Sequence, residues 1–269
     1  MAIRWQEQVC LLTGASGGIG QAIAYKLAGL GVSLILTGRN ADSLSALMAS
    51  LPGQHTLVCA DITTEAGRDK VVAVCHDRHI SMLINSAGIS ETGDFTTTPA
   101  QRIDTLLLTN LYAPMALTQR LLPLLQRASS AYVVNVGSTF GSIGFACHAA
   151  YCASKFGLRG FTESLSRELA SSNVGVFYLA PRATKTGINS AAVVSMNQAL
   201  GNKVDPPERV AEALVSQLER NKARWFIGMP EKLFARLNGA LPELVDRALA
   251  KKLPVIQRFL TSATKEKLL

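Results

Sequence analysis

Short apolar runs alternate with amphipathic stretches along most of the chain. QVCLLT (8–13), SLILT (33–37), TLVCA (56–60), SMLIN (81–85), AYVVNV (131–136), VGVFYLA (174–180) and RWFIG (224–228) read as strands. Between them, apolar residues recur at helical spacing and predict helices at 18–29, 41–50, 64–78, 103–127, 151–170 and 206–220. A strand covered on both faces reads as a continuous apolar run rather than as an alternating one. Seven such runs separated by helices therefore predict an α/β fold, a doubly wound, mostly parallel seven-stranded sheet with helices on both faces. After Gly228 the pattern changes. Apolar residues keep helical spacing in PEKLFARLNGALPELVDRALAKKLPVIQRFL, broken by Pro230, Pro242 and Pro254. We expect one domain, with 1–228 as the catalytic body and 229–269 as its basic, amphipathic helical extension.

Composition narrows the class. The 269 residues are 48% hydrophobic and 17% charged, which suits one globular domain with a full core. Two long stretches test as membrane spans. Residues 129–154 carry no Asp, Glu, Lys or Arg, but they hold glycines, Asn135 and His148 and change from strand to loop to helix. Residues 105–119 are interrupted by Asn110 and Pro114. Neither suits a continuous span of about 20 apolar residues. The start, MAIRWQEQ, has no secretory pattern. Five cysteines without a C-x-x-C pair suggest free thiols in a reducing, cytoplasmic compartment, with Cys10 and Cys59 expected in the core. No metal-ligand pattern stands out. The net charge of +8 comes without basic blocks or interleaved aromatics, so no nucleic-acid partner is expected.

Parallel sheets of this kind bind ligands at the carboxyl ends of their strands. After the first strand comes Thr13-Gly14-Ala15-Ser16-Gly17-Gly18-Ile19-Gly20, a glycine turn opening a helix. Such a turn lets backbone N–H groups approach a pyrophosphate. After the second strand come Arg39 and Asn40, with no carboxylate to hold a ribose 2′-hydroxyl; an Arg there suits the 2′-phosphate of NADP. Asp61-Ile62 after the third strand suit an adenine edge, although Asp61 could equally cap the next helix. Asn85, Ala87 and Gly88 follow the fourth strand as a small-residue turn beside a ribose. Ser138 follows the fifth. Tyr151 and Lys155, four apart in a predicted helix, share one face.

In this order the glycine turn, N-x-A-G at 85–88, Asn110, Ser138 and Y-x-x-x-K at 151–155 resemble the short-chain dehydrogenase/reductase superfamily, from Thr13 to about Thr186. The resemblance implies a Rossmann-type sheet, a nicotinamide cofactor and a Ser–Tyr–Lys site. Tyr151 would exchange a proton with the substrate oxygen, and Ser138 would hydrogen-bond that oxygen. Lys155 would hold the nicotinamide ribose and lower the Tyr151 pKa from about 10. Asn110 would anchor a water leading to solvent, and a loop containing Pro181, Thr184 and Thr186 would close on the nicotinamide. NADP(H) is the expected cofactor, and a homodimer or homotetramer the expected assembly.

One departure is Arg182 where the family commonly has Gly; we expect it to contact a cofactor phosphate or an anionic part of the substrate. Phe140, Ile143, Phe145, His148 and the segment 187–200, with Val193, Val194 and Met196, are expected to wall the substrate. The substrate is expected to be an apolar carbonyl compound, with a 3-oxoacyl thioester leading. Lipophilic alcohols or ketones of steroid or retinoid type are the alternative, and a non-catalytic NADP-sensing protein a third reading. From Trp225 to Leu269, eight Lys/Arg stand against four Asp/Glu. That extension would grip an acyl carrier protein, lie peripherally on a membrane surface, or pack over its own core.

Overall fold

The computed structural model describes residues 3–260. Seven strands, β1 (Val9–Thr13), β2 (Ser33–Gly38), β3 (Thr56–Cys59), β4 (Met82–Asn85), β5 (Ala131–Val136), β6 (Val174–Ala180) and β7 (Arg224–Phe226), form one sheet in the order β3-β2-β1-β4-β5-β6-β7. Every pairing is parallel, as expected for strands joined by helical crossovers. The order reverses between β1 and β4, and this opens a crevice at their carboxyl ends.

The helices fall on two faces. On one lie α1 (Gly18–Gly29), α2 (Ala41–Ser50) and α8 (Pro207–Glu219), which bury Ile23, Leu27, Leu44 and Leu214 against Cys10, Leu12, Leu34 and Leu36. On the other lie α3 (Glu65–Asp77), α5 (Ala113–Leu125) and α6 (Ala149–Glu168), which cover Leu11, Ile35, Leu83 and Val133 with Val71, Leu117, Leu121 and Leu165. Neighbours within a strand thus serve opposite layers, which is why each strand reads as an unbroken apolar run. A fully buried Leu or Ile contributes roughly 2–3 kcal/mol. Cys59 departs from expectation. It ends the edge strand β3 and is exposed, with Sγ donating to the Arg39 carbonyl at 3.4 Å.

The helix expected over 103–127 is three pieces: α4 (Ala100–Leu107), a wide π turn (Leu108–Tyr112) and α5. Pro114 has no N–H for the Asn110 carbonyl, so the regular ladder cannot run through. The turn widens, and Ala113 N–H bonds to the Leu108 carbonyl five residues back.

The extension is also three helices, α9 (Met229–Ala240), α10 (Pro242–Ala250) and α11 (Leu253–Leu260), with α7 (Ala191–Ala199) preceding them. Val245 and Ala235 pack on Ile143, while Ile256 and Leu260 of α11 pack on Val193 and Met196 of α7. The part of the expected extension at 261–269 lies outside the described residues. Among the described residues no helix is long and apolar enough to cross a membrane.

Candidate active site

The crevice is built first by Thr13. Its Oγ1 accepts hydrogen bonds from the N–H groups of Ser86 (3.0 Å) and Ala87 (3.1 Å), tying β1 to the turn after β4. Gly14 follows with φ +64°, and a Cβ there would stand 2.7 Å from Ala87 Cα. A Cβ on Gly20 would overlap the Gly14 carbonyl oxygen, and one on Gly18 would lie 2.8 Å from Thr186 Cγ2. The glycines thus keep a backbone-lined cradle open. α1 starts there without a side-chain cap at Gly17, leaving its first N–H groups and positive dipole end for an anion. These residues fit a dinucleotide pyrophosphate.

The adenosine end is mixed. Ser16 Oγ is 3.3 Å from where a Gly38 Cβ would be, so Ser16 stands beside the end of β2 and the exposed Arg39. Asn40 caps α2 by accepting from Ser43 N–H at 2.8 Å. Asp61 does not cap α3; Thr64 does, accepting from Gly67 N–H. Asp61 Oδ1 accepts from the Thr63 N–H (3.0 Å) and hydroxyl (2.7 Å). Burial works to raise its pKa, but these bonds and the Arg39 charge prevail and hold it below the ordinary value. The Ile62 side chain lies in the core layer with Val71, so a hydrogen bond to an adenine edge would fall to its backbone.

The Asn85 side chain is turned inward. It is 2% exposed, and its Nδ2 donates to Asn135 Oδ1 (2.8 Å) and Thr118 Oγ1 (3.2 Å), while Asn135 Nδ2 donates to Thr162 (2.9 Å). This polar chain pins β4 and β5 to α5 and α6 beneath the crevice. Ala87 and Gly88 remain at its lip. A Cβ on Gly88 would lie 3.3 Å from Asn110 Oδ1 and 3.7 Å from Lys155 Nζ.

The four expected catalytic residues converge. α6 carries Tyr151 and Lys155 one turn apart, with Lys155 Nζ 5.8 Å from the Tyr151 ring centroid. Nζ also donates to the Val136 carbonyl at 3.1 Å. Ser138, just past β5, stands beside the Tyr151 side chain and works to lower its pKa, and its Oγ accepts from Phe140 N–H at 3.1 Å. Asn110, in the π turn, accepts from Ile89 N–H (2.8 Å) and donates to the Ile89 carbonyl (2.9 Å) and to Ser154 Oγ (3.2 Å). It therefore fixes the segment after Gly88 to α6.

Electrostatics depart from the expectation that Lys155 lowers Tyr151. Burial pushes Tyr151 up to about 12 against the Ser138 hydrogen bond, and burial pushes Lys155 down to about 8. At neutral pH both protons stay in place, the state needed to donate one to a carbonyl oxygen.

Several expected wall and loop residues have other partners. Arg182 lies against carboxylates: Nε and Nη2 donate to Asp205 at 2.8 Å each, and Nη1 reaches Glu231 of α9 at 3.3 Å. The Asp205 bond above all holds its pKa higher than usual. The cation's role is to join the loop after β6 to the extension. Pro181 is buried and accepts from Thr139 N–H at 2.9 Å, while Thr184 is buried and donates to the Arg182 carbonyl at 2.9 Å. Thr186 alone of these three lies against the glycine turn. Ile143, Val193 and Met196 seat the extension rather than facing a substrate. Phe140, Phe145 and His148 form an aromatic group against Tyr151, with Phe140 and Phe145 stacked at 4.7 Å between centroids and His148 6.5 Å from the Tyr151 ring. Burial lowers the His148 pKa, so its ring is neutral at pH 7.

Sequence reasoning missed Tyr178. It is fully buried in β6, and its hydroxyl donates to the Ser138 carbonyl (3.0 Å) and accepts from the Ser138 N–H (3.2 Å). The signal was available: a tyrosine inside an all-buried strand must find a partner for its hydroxyl.

Residues 8–196 match the family model for short chain dehydrogenase. An uncharacterized oxidoreductase of Staphylococcus epidermidis is 34% identical over 178 residues, covering 65% of this chain and 77% of the relative. A short-chain dehydrogenase from Streptomyces avermitilis superposes with a TM-score of 0.78 at 28% identity, over 91% of this chain and 98% of that one. The 3-ketoacyl-(acyl-carrier-protein) reductase from Brucella melitensis, complexed with NADH, shares the fold at a TM-score of 0.76 and 23% identity, over 83% and 97%. With the glycine cradle, the reversed strand order and the Ser138–Tyr151–Lys155 cluster in one crevice, the chain belongs to the short chain dehydrogenase family of nicotinamide-dependent oxidoreductases.

Proposed function

We propose that the protein is an NADPH-dependent carbonyl reductase of apolar substrates, with a 3-oxoacyl thioester as the leading substrate. The observation that carries this reading is the half-buried Tyr151, with Ser138 beside its side chain and Lys155 one helical turn away. When bound, the nicotinamide supplies the hydride. Ser138 hydrogen-bonds the carbonyl oxygen and Tyr151 donates its proton to the same atom. The Lys155 ammonium then stabilises the phenolate left on Tyr151. Phe140 and Phe145 give the approach an apolar lining, which supports an acyl or other lipophilic group over a charged one. Arg39, with no carboxylate after β2, supports NADPH over NADH.

Two surfaces support the expected partners. Leu108, Tyr112, Met115 and Phe156 are exposed along α5, α6 and the π turn, as a subunit interface of a homodimer or homotetramer requires. On α9, exposed Met229, Leu233 and Phe234 alternate with Lys232 and Arg236, a pattern suited to an acidic acyl carrier protein.

The test is loss of reduced-nicotinamide absorbance over a 3-oxoacyl thioester, bulky apolar ketones and simple aldehydes, with NADPH and NADH in parallel. Thioester turnover with NADPH is the expected result. Turnover of ketones alone would move the assignment to lipophilic ketones, and tight NADPH binding with no turnover would move it to a sensor. Faster turnover of the carrier-bound than the coenzyme-A-bound thioester is expected of carrier docking; equal rates would remove that partner.

A further inference from the structure

We propose that Tyr178 is a positioning residue for Ser138, an inference that rests on the catalytic reading of that serine. Past the end of β5, Gly137 N–H donates to the Leu179 carbonyl (2.8 Å) and Thr139 N–H to the Pro181 carbonyl (2.9 Å), so alternate residues continue the ladder to β6. Ser138 stands between them with its N–H and C=O turned the other way. β4, the neighbour on that side, ends at Asn85, whose partner in β5 is Asn135. In a serine extended beyond the sheet (φ −164°, ψ 160°) the carbonyl accepts from Gly141 N–H at 3.0 Å, but the N–H would be orphaned. The Tyr178 hydroxyl satisfies that N–H as acceptor at 3.2 Å and gives the carbonyl a second donor at 3.0 Å.

The ring also determines what can stand around the serine. A Cβ on Gly137 would overlap the Tyr178 ring, and one on Gly141 would overlap its hydroxyl. The Gly141 Cβ would also stand 2.7 Å from the Lys155 carbonyl oxygen. The phenol, the 138–141 turn and the backbone of α6 thus meet at one point. That point sets the height of Ser138 Oγ relative to Tyr151 and Lys155. Gln217 holds the other end of Tyr178, donating from Nε2 to its carbonyl at 3.1 Å. Tyr178 touches no reacting atom; it acts through Ser138.

The test compares Tyr178→Phe, Ser138→Ala and the double variant in the NADPH assay, on whichever panel carbonyl the wild type reduces. Tyr178→Phe keeps the ring and removes both bonds. The expected result is a kcat about tenfold lower with the NADPH KM within twofold, and no further loss when Tyr178→Phe is added to Ser138→Ala. An equal loss in both backgrounds, or an unchanged kcat with only a lower Tm, would overturn the proposal. If Ser138→Ala itself keeps wild-type kcat, the serine reading fails first and takes the proposal with it. A readout free of substrate is amide hydrogen exchange in the NADPH complex. Ser138 should exchange about tenfold faster in Tyr178→Phe while Gly137 and Thr139 hold; equal acceleration of all three would overturn the proposal.

Discussion

Replacing Lys155 by Met should stabilise the protein at neutral pH while abolishing turnover. Burial takes Lys155 from its ordinary 10.5 to about 8, and the residue is only 5% exposed. At about 1.4 kcal/mol per pH unit, holding the ammonium in the fold costs roughly 3 kcal/mol at pH 7. The Met variant avoids that cost but leaves the Val136 carbonyl without its donor, a loss of about 1 kcal/mol. The net expectation is a gain of about 2 kcal/mol at pH 7. Between about pH 8 and 10.5 the unfolded wild type still binds the proton that the folded protein has released. Wild-type stability therefore rises with pH through this window, and the Met variant shows no such rise. Near pH 10.5 the order should reverse, with the variant about 1 kcal/mol less stable. Tyr151 titrates in both proteins and cancels in the difference. Urea denaturation of both proteins at pH 7, 8.5 and 10 measures this. A stability difference that does not change with pH would refute the argument that Lys155 is buried as a cation.

Three further outcomes are expected. Reduction should slow above about pH 8 as Lys155 loses its proton, while Tyr151, held to about 12, keeps its own; a kcat profile flat to pH 10 would contradict this. Arg39→Asp should shift the ratio of kcat/KM for NADPH over NADH by about a hundredfold toward NADH, since a carboxylate repels the 2′-phosphate and accepts from the ribose hydroxyl. Arg182→Gly should lower stability by about 2–3 kcal/mol, because it strands the nearly buried Asp205, with the weaker Arg209 contact at 3.7 Å as partial relief. Its NADPH KM should stay near wild type, and a marked rise would restore the cofactor-phosphate role.

The sheet was legible because both faces of each strand are covered, which leaves an apolar run with glycine or a small polar residue at its end. Ser138, Tyr151 and Lys155 were legible through the family resemblance, which the order of a strand-end serine and the Y-x-x-x-K spacing carried. What the sequence withheld was direction and distance. A strand end marks where Asn85 sits and a turn where Ile62 sits, but the local backbone decides whether a side chain enters the crevice or the core, and both enter the core. The partners of Arg182 lie 23 and 49 residues further on, and no local pattern links them. Ile143, Val193 and Met196 read as pocket wall because the helices that cover them come from the extension, whose docking is a tertiary fact. Cys59 read as core because an edge strand and a central strand of four residues look alike in sequence.

Tyr178 and its two glycines carry an evolutionary consequence. The ring fills the volume that a side chain at 137 or 141 would take, so the three positions form one steric unit. Drift at either glycine is closed while the tyrosine stays. Loss of the tyrosine relieves position 137 but not 141, where a Cβ would still stand 2.7 Å from the Lys155 carbonyl oxygen, and it removes the two bonds to Ser138. Descendants of this chain should therefore keep Gly141 throughout and exchange Gly137 only together with Tyr178, with a different device taking over the backbone of the serine.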